Sequence, residues 1–288
     1  MPIVPHAASA RPPEVHGHRG CRGLRPENTL PAFLHALTLG VDVLELDVVV
    51  SQDHQVVVAH EPWLSAKLGR GPQGQHLSRA EETRCNLYQM PYATIRQCAV
   101  GEWPHPDFPE QQPAPGYRPL LRDVLQQVAA ASQQLDRPAV GFSVELKSTP
   151  LGDGLAHPAP SVFVELVMAE LTAAQVEART TLLSFDPRIL QAARLAHPQL
   201  ALCLLVEDYL PSVPSLFEAL GFVPTTLGPD FRLLSTALIQ EIRLRYPGLR
   251  LVPWTVNTPA DLRLARGWQV DGITTDYPDR LLAQLHRL

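Results

Sequence analysis

The chain has 288 residues, of which 45% are hydrophobic and 18% are charged, and its formal net charge is −5. This composition is typical of a folded globular protein and argues against disorder. A slightly acidic chain without a run of basic residues is not expected to bind nucleic acid, because contacts to a phosphate backbone require clustered lysines and arginines. No apolar run reaches about 18 residues, the length of a membrane span, so no stable membrane anchor is expected.

The first 14 residues are rich in Pro and Ala, and we expect them to form a disordered or loosely packed arm. They lack the basic start and apolar core of a secretory signal, so a cytoplasmic location is expected. The four cysteines lack the spacing of a metal site and are too few for a secreted disulfide framework in a chain this long. We expect free thiols at Cys21, Cys85, Cys98 and Cys203.

The rest of the chain, 15–288, is expected to form one domain in which β-rich runs and helical patterns alternate. Apolar residues over 30–37 recur at helical spacing, and Gly40 follows where a helix would end. The runs 41–50 and 55–59 are β-rich and are joined by a short polar segment. These two runs are therefore expected to form a hairpin.

Residues 62 to about 117 interrupt the alternation with many Pro, Gly, Gln and Arg residues, and we interpret them as an insertion. The alternation resumes at residue 119. With the hairpin counted once, eight strands are expected, at 15–20, 41–50, 139–146, 180–185, 200–206, 225–227, 249–256 and 272–275. Each strand precedes a helix, and eight such units predict an α/β fold, the (β/α)8 or TIM barrel. An open doubly wound sheet is the alternative, but the chain has no glycine-rich nucleotide-binding loop to support it.

Acidic residues mark two neighbouring strands of the predicted barrel. Glu45 and Asp47 are two positions apart on one strand, so both point to the same face, the barrel interior. Glu145 has the same placement on the following strand. Three convergent carboxylates suit Mg²⁺ or Ca²⁺. The alternative is a structural ion-pair cluster, in which Glu45 or Glu145 only pairs with Arg19 or Lys147.

Two histidines, His18 and His60, lie near predicted strand ends, where barrel enzymes carry their active sites. Histidine titrates near neutrality, so this pair suits general acid and base catalysis. As metal ligands they would instead favour a transition metal. Arg19 and Lys147 offer cationic contacts to a phosphate. Together these residues indicate a site for an anionic ester held on a divalent cation.

Short motifs follow one another in a fixed order over residues 15 to 280. They are His18-Arg19-Gly20, Pro26-Glu27-Asn28-Thr29, Ala32-Phe33, Glu45-Leu46-Asp47-Val48, His60, Val144-Glu145-Leu146-Lys147, Ser184-Phe185, Trp254-Thr255-Val256-Asn257 and Ile273-Thr274-Thr275-Asp276. In type, order and spacing they resemble the glycerophosphodiester phosphodiesterase family.

The resemblance implies a TIM barrel with a small insertion after the second strand unit, and hydrolysis of glycerophosphodiesters to sn-glycerol 3-phosphate and an alcohol. It implies one divalent cation, Mg²⁺ or Ca²⁺ with Mn²⁺ and Co²⁺ as further candidates, and a small-molecule substrate. The implied roles are general acid and base for His18 and His60, metal binding for Glu45, Asp47 and Glu145, phosphate binding for Arg19 and Lys147, and lining of the pocket for Trp254.

The chain departs from the family pattern at two positions. Glu61 stands where an Asp usually follows the second histidine, and His54 replaces a usual hairpin glycine. Two other functions remain open. One is a lysophospholipase D or sphingomyelinase D-like activity on the same scaffold, and the other is a non-catalytic barrel that binds phosphorylated metabolites.

Overall fold

Eight parallel strands form the centre of the computed structural model, which describes residues 11–209 and 212–287. In chain order they are β1 (Glu14–Gly17), β2 (Val43–Val50), β4 (Gly141–Leu146), β5 (Thr180–Ser184), β6 (Ala201–Val206), β7 (Thr226–Pro229), β8 (Arg250–Leu251) and β9 (Gly272–Thr275). Their spatial order is β8-β7-β6-β5-β4-β2-β1-β9, and β3 (Val56–Val58) pairs antiparallel with β2.

Hydrogen bonds between the segments that contain β8 and β9, the two end strands of this order, close the barrel. The Asp271 N–H donates to the Leu251 carbonyl at 2.9 Å, and the Val256 N–H donates to the Thr274 carbonyl at 3.0 Å. Both contacts join the β8 segment to β9. The predicted TIM barrel is therefore confirmed. Of the expected N-terminal arm, residues 1–10 lie outside the described residues.

Helices cover the outside of the barrel. They are α1 (Leu30–Leu39), α4 (Leu121–Gln134), α5 (Pro160–Ala173), α6 (Pro187–Ala196), α7 (Val213–Leu220), α8 (Thr236–Arg245), α9 (Pro259–Gly267) and α10 (Pro278–Gln284), while α2 (Arg79–Glu82) and α3 (Tyr92–Gln97) belong to the insertion. Strand side chains such as Leu44, Leu46 and Val48 are fully buried in the core that the helices complete. No helix in the described part of the chain is both long and apolar enough to cross a bilayer.

The ends of α1 follow directly from its sequence. The Thr29 hydroxyl accepts a hydrogen bond from the Ala32 N–H at the start of the helix. Gly40 ends the helix in the left-handed conformation, with φ of 108°, and its N–H donates to carbonyls of the last turn. The predicted helix and its end are confirmed.

Strand β1 is shorter than the predicted 15–20 and ends at Gly17. The chain turns immediately afterwards, because Arg19 and Gly20 adopt left-handed backbone conformations, with φ of 50° and 86°. The turn brings His18 and Arg19 onto the mouth of the barrel. Gly20 is required here, since a Cβ at this position would lie 2.8 Å from the Ala32 carbonyl carbon.

Replacing Gly20 with Ala is expected to lower the free energy of unfolding by about 3 kcal/mol, because the clash with backbone adds to the strained φ. Gly74 is a matched control: its φ is also positive, at 74°, but a Cβ added there would have no atom within 4 Å. Gly74→Ala should cost only about 1 kcal/mol. Urea unfolding of both variants measures the difference, and equal losses would contradict the assigned contact.

Strand β8 is also shorter than the predicted 249–256. Pro253 interrupts it because proline has no N–H to donate to the ladder. The flanking residues keep the register, since the Val252 N–H donates to the Leu227 carbonyl and the Trp254 N–H to the Pro229 carbonyl. Trp254 therefore remains at the barrel mouth although it lies beyond the strand.

The predicted hairpin is present as β2 and β3. Its turn contains His54 with φ of 57°, the left-handed conformation that a glycine would adopt without strain. The following residues, 62–117, hold α2, α3 and several isolated bridges. Buried Leu64, Leu87 and Ile95 of this segment pack with Val57 in a small core of their own.

Candidate active site

Three carboxylates meet at the mouth of the barrel, two from β2 and one from the C-terminal end of β4. One oxygen from each of Glu45, Asp47 and Glu145 lies within 4.8 Å of the others. The pairing of β2 with β4 sets Asp47 directly opposite Glu145, and the two-residue strand repeat puts Glu45 on the same face. All three residues are at least 90% buried. Such a cluster calls for compensating positive charge.

The charges on this acidic cluster are unequal. Burial and the neighbouring Asp47 raise the pKa of Glu45 well above its usual range. Burial and Asp47 also raise the pKa of Glu145, although Lys147 opposes the rise. Burial would raise the pKa of Asp47 too, but Arg19, His60 and Lys147 together hold it below its usual range. Asp47 is therefore the fixed anion, whereas ionisation of Glu45 and Glu145 beside it is disfavoured unless a cation is bound.

Arg19 and Lys147 contact the acidic cluster. Lys147 Nζ lies 2.6 Å from Glu145 Oε1 and 3.6 Å from Asp47 Oδ1. Arg19 Nη1 donates to Glu27 Oε1 at 2.7 Å, and Arg19 Nε lies 3.2 Å from Asp47 Oδ2. Glu45, in contrast, accepts the Arg19 backbone N–H at 2.7 Å and makes no ion pair with an arginine or lysine of the described residues. Ion pairs with Arg19 and Lys147 thus balance negative charge on Asp47 and Glu145. No arginine or lysine of the described residues pairs with the carboxylate of Glu45.

His18 is buried and held by a carboxylate from the opposite end of the sequence. Its Nδ1 lies 2.6 Å from Asp276 Oδ1, and its Nε2 lies 3.9 Å from Glu45. Asp276 is fixed in turn by Arg22 Nε at 2.9 Å and by Asn257 Nδ2 at 2.7 Å. Burial and the positive charge of Arg22 lower the pKa of His18 to about 4. The ring is therefore neutral near pH 7.

His60 is held by the residue that follows it. Its Nδ1 lies 2.9 Å from Glu61 Oε1, and the hydrogen bond from His60 lowers the pKa of Glu61. The pKa of Asp276 also lies below its usual range, since His18 and Arg22 outweigh the effect of burial. An ionised carboxylate only accepts hydrogen bonds, so each histidine carries a proton on Nδ1. In both rings Nε2 is left for other chemistry.

A cavity of about 940 Å³ opens in front of these groups and extends into the barrel interior. Both histidines, Arg19 and Lys147 line its polar side. On the other side, Trp254 packs edge-on against Phe185 at 5.5 Å between ring centres and joins an apolar cluster with Leu183 and Leu205. Trp254 Nε1 donates to the Gly228 carbonyl at 2.8 Å, which fixes the ring in the cavity wall. The cavity is thus polar on one side and apolar on the other.

Comparison with known proteins gives the family of the chain. The model of the glycerophosphoryl diester phosphodiesterase family matches residues 18–280. The chain belongs to the glycerophosphoryl diester phosphodiesterase family. The family resemblance of the sequence motifs and the expectation of an enzyme of this class are confirmed.

Individual members of this family cover nearly the whole chain. A glycerophosphodiester phosphodiesterase from Bacillus altitudinis is 27% identical over 274 residues, 93% of this chain and 96% of the relative. A lysophospholipase D from Rattus norvegicus is 26% identical over 280 residues, 94% of this chain and 85% of the relative. A solved structure from Silicibacter pomeroyi DSS-3, assigned to the glycerophosphoryl diester phosphodiesterases, matches with a TM-score of 0.82 and 33% identity, over 95% of this chain and 93% of that one.

Eight candidate site residues were selected from the sequence of this family member. In the structure all eight line one cavity or lie directly behind it. They are His18, Arg19, Glu45, Asp47, His60, Glu145, Lys147 and Trp254. Sequence reasoning assigned no role to the residues that hold them: Arg22, Glu27, Asn28, Asn257 and Asp276. The Asn28 amide donates to Asp47 Oδ2 at 2.8 Å. The signal for Asp276 was available, because the last strand of a closed barrel must lie beside the first.

Replacing Asp276 with Asn should therefore leave the His18 side chain in place but change which of its ring nitrogens carries the proton. An amide that turns its NH₂ toward Nδ1 favours the opposite tautomer, with the proton on Nε2. We expect kcat to fall about 100-fold with little change in KM. Steady-state kinetics checks this, and Asp279→Asn, three residues further on, serves as the control. A variant with full kcat would show that Asp276 does not position the histidine.

Proposed function

We propose that the protein hydrolyses glycerophosphodiesters to sn-glycerol 3-phosphate and an alcohol, with one bound divalent cation and with His18 and His60 as general acid and base. The observation that carries the proposal is the meeting of the acidic cluster with two carboxylate-held histidines at one cavity. Membership of the glycerophosphoryl diester phosphodiesterase family supports it.

The acidic cluster fits a divalent cation. Its three carboxylates are hard oxygen ligands of the kind that Mg²⁺ and Ca²⁺ prefer, with Mn²⁺ and Co²⁺ as further candidates. Only two cationic side chains of the described residues, Arg19 and Lys147, face the three carboxylates. Glu45, Asp47 and Glu145 would hold the ion, and the ion would neutralise charge on the phosphate oxygens.

The histidines are arranged to move protons at Nε2. Because Asp276 and Glu61 accept from the two Nδ1–H groups, Nε2 is the nitrogen of each ring that is available to exchange a proton. One such nitrogen can accept the proton of an attacking hydroxyl. The other ring, once protonated, can donate to the oxygen of the departing alcohol. The attacking hydroxyl is that of the glycerol moiety, which gives a cyclic phosphate, and water then opens the ring with the two histidines in reversed roles.

Arg19 and Lys147 would contact the phosphate. Both now hold carboxylates of the acidic cluster. A cation bound to that cluster would compete for the same carboxylates, and Lys147 Nζ would then be available to a phosphate oxygen. Trp254 and Phe185 form the facing wall, where an uncharged part of the substrate would lie.

A second candidate is hydrolysis of lysophospholipids in the manner of a lysophospholipase D. The apolar wall of Leu183, Leu205, Phe185 and Trp254 favours it, because an acyl chain requires such a surface. The rat relative carries that name. The same wall would suit the acyl chain of a sphingomyelinase D-like substrate, so only the name of the rat relative favours the lysophospholipid, and no observation in the described cavity favours a non-catalytic barrel.

Parallel assays of glycerophosphocholine and lysophosphatidylcholine with added Mg²⁺ separate the two candidates. We expect the higher kcat/KM for glycerophosphocholine, with sn-glycerol 3-phosphate as the product. Turnover of the lysophospholipid alone would support the second candidate. Calorimetry that shows binding of both compounds without any product would indicate a non-catalytic barrel.

A further inference from the structure

A second and much smaller cavity lies behind the active site, between the hairpin, the loop that carries Glu27, and the insertion. Its volume is about 20 Å³. Arg118 lines it, from the short extended segment that connects the insertion to α4. The carboxylates of Glu27 and Glu61 line it as well, and both are already paired, with Arg19 and His60. The residue is only 5% exposed, so its guanidinium lies in the protein interior.

The Arg118 side chain makes no ion pair or hydrogen bond in the described part of the chain, and the charge of Glu27 acts on it only from beyond ion-pair distance. Its Nη1 is buried without a hydrogen-bond partner, and no carboxylate of residues 11–209 and 212–287 pairs with it. The nearby Glu27 is already engaged by Arg19 at 2.7 Å and by Arg22 at 3.8 Å. Arginine does not lose its proton in proteins, and a buried charge without a counterion is costly. The position therefore calls for a bound anion.

A neighbouring histidine adds a second donor. His105 lines the same cavity and is 8% exposed. Its Nδ1 accepts a hydrogen bond from the Asp107 N–H at 3.1 Å, so the proton of the neutral ring lies on Nε2. Burial lowers the pKa of His105, which keeps the ring neutral. In the described residues this Nε2–H has no acceptor.

The volume limits what this site can hold. A single water-sized particle needs about 10–15 Å³ of such space. Phosphate, sulfate and carboxylates carry several heavy atoms and do not fit in 20 Å³. A water molecule would fit but would leave the guanidinium charge uncompensated. We propose that the cavity is a halide site, in which a chloride ion pairs with Arg118 and joins the insertion to the loop of Glu27.

The test is thermal unfolding of the full chain with magnesium acetate present throughout. Sodium chloride is exchanged for sodium acetate at constant ionic strength. A ligand that binds only the folded protein raises Tm with concentration, and we expect about 3 °C for each tenfold rise in chloride above its dissociation constant. Equal Tm in chloride and acetate at every concentration would overturn the proposal.

Variants at Arg118 show whether the dependence of Tm on chloride requires this residue. Arg118→Met keeps the length of the side chain and removes its charge, so its Tm should no longer depend on chloride. Arg118→Gln is the second choice if the methionine variant does not fold. Arg84→Met, at an exposed position of the insertion, is the matched control and should keep the full chloride response. A chloride response that persists in the Arg118 variants would refute the site.

Crystals of the wild-type protein soaked in sodium bromide provide a measurement that does not depend on any variant. An anomalous peak beside Arg118 in the small cavity is expected. Electron density for water without an anomalous signal at that position would overturn the proposal. Neither result bears on the phosphodiesterase reaction, so the two proposals succeed or fail separately.

Discussion

Alanine at either His18 or His60 is expected to lower kcat on glycerophosphocholine by about 10²–10⁴-fold, the usual size of a general acid or base contribution. Each side chain has Nδ1 fixed by a carboxylate and Nε2 free to exchange a proton with the substrate. The two variants should lose similar amounts, because each proton transfer belongs to the same displacement. Steady-state kinetics with saturating metal measures both.

The fold should survive both substitutions. Without His18, Asp276 still has Arg22 and Asn257 as partners, so no buried carboxylate is left unpaired. The His60 side chain is 25% exposed, and little packing is lost with it. Circular dichroism checks folding, and His197→Ala, at an exposed pair with Glu165, is the control. Wild-type rates in either active-site variant would rule out the two-histidine mechanism.

A large loss of activity is also expected when a carboxylate of the acidic cluster is replaced. Replacing Glu45 with Gln should lower activity at least about 100-fold and abolish the rise in Tm that we expect Mg²⁺ to produce in the wild type. The amide keeps an oxygen for the Arg19 backbone N–H but removes one of three negative charges. Differential scanning calorimetry with and without Mg²⁺ measures the change.

The same substitution should stabilise the protein when no metal is bound. Glu45 faces Asp47 and has no arginine or lysine partner in the described residues, so its charge is unfavourable there. We expect a gain of about 1–2 kcal/mol in metal-free buffer, because like charges no longer repel in a buried site. Exposed Glu218→Gln is the control and should change neither value. A metal-free Glu45→Gln protein less stable than wild type, with Mg²⁺ binding intact, would contradict a metal role for the cluster.

The sequence predicted the barrel because its signals are local. Alternating strand and helix patterns, the stop at Gly40 and the two-residue spacing of Glu45 and Asp47 each depend on a few neighbouring residues. The predicted ends of β1 and β8 were wrong by the largest margins, for equally local reasons that the periodicity does not contain. The left-handed backbone after His18 ends β1, and Pro253 ends β8.

The hydrogen bonds around His18 and His60 were harder to predict. His18 and Asp276 are 258 positions apart and meet only when β9 pairs with β1. Glu61, in contrast, follows His60 directly, and its proximity could be read from the sequence. Side-chain rotamers decide that Lys147 reaches Glu145 while Glu45 stays without a cation, and no sequence pattern encodes those rotamers. The contacts of Lys147 and Glu45 therefore required the structure, whereas the order of the strands already pointed to Asp276.

We propose metal-dependent cleavage of a glycerophosphodiester, and ³¹P NMR of glycerophosphocholine turnover tests this claim at the phosphorus atom itself. The wild-type protein is incubated in parallel with Mg²⁺, Ca²⁺, Mn²⁺ and Co²⁺, and with excess EDTA. The phosphodiester signal should convert to that of sn-glycerol 3-phosphate with at least one of the metals and should persist unchanged in EDTA. Full turnover in EDTA, or none with any of the four metals, would contradict the claim.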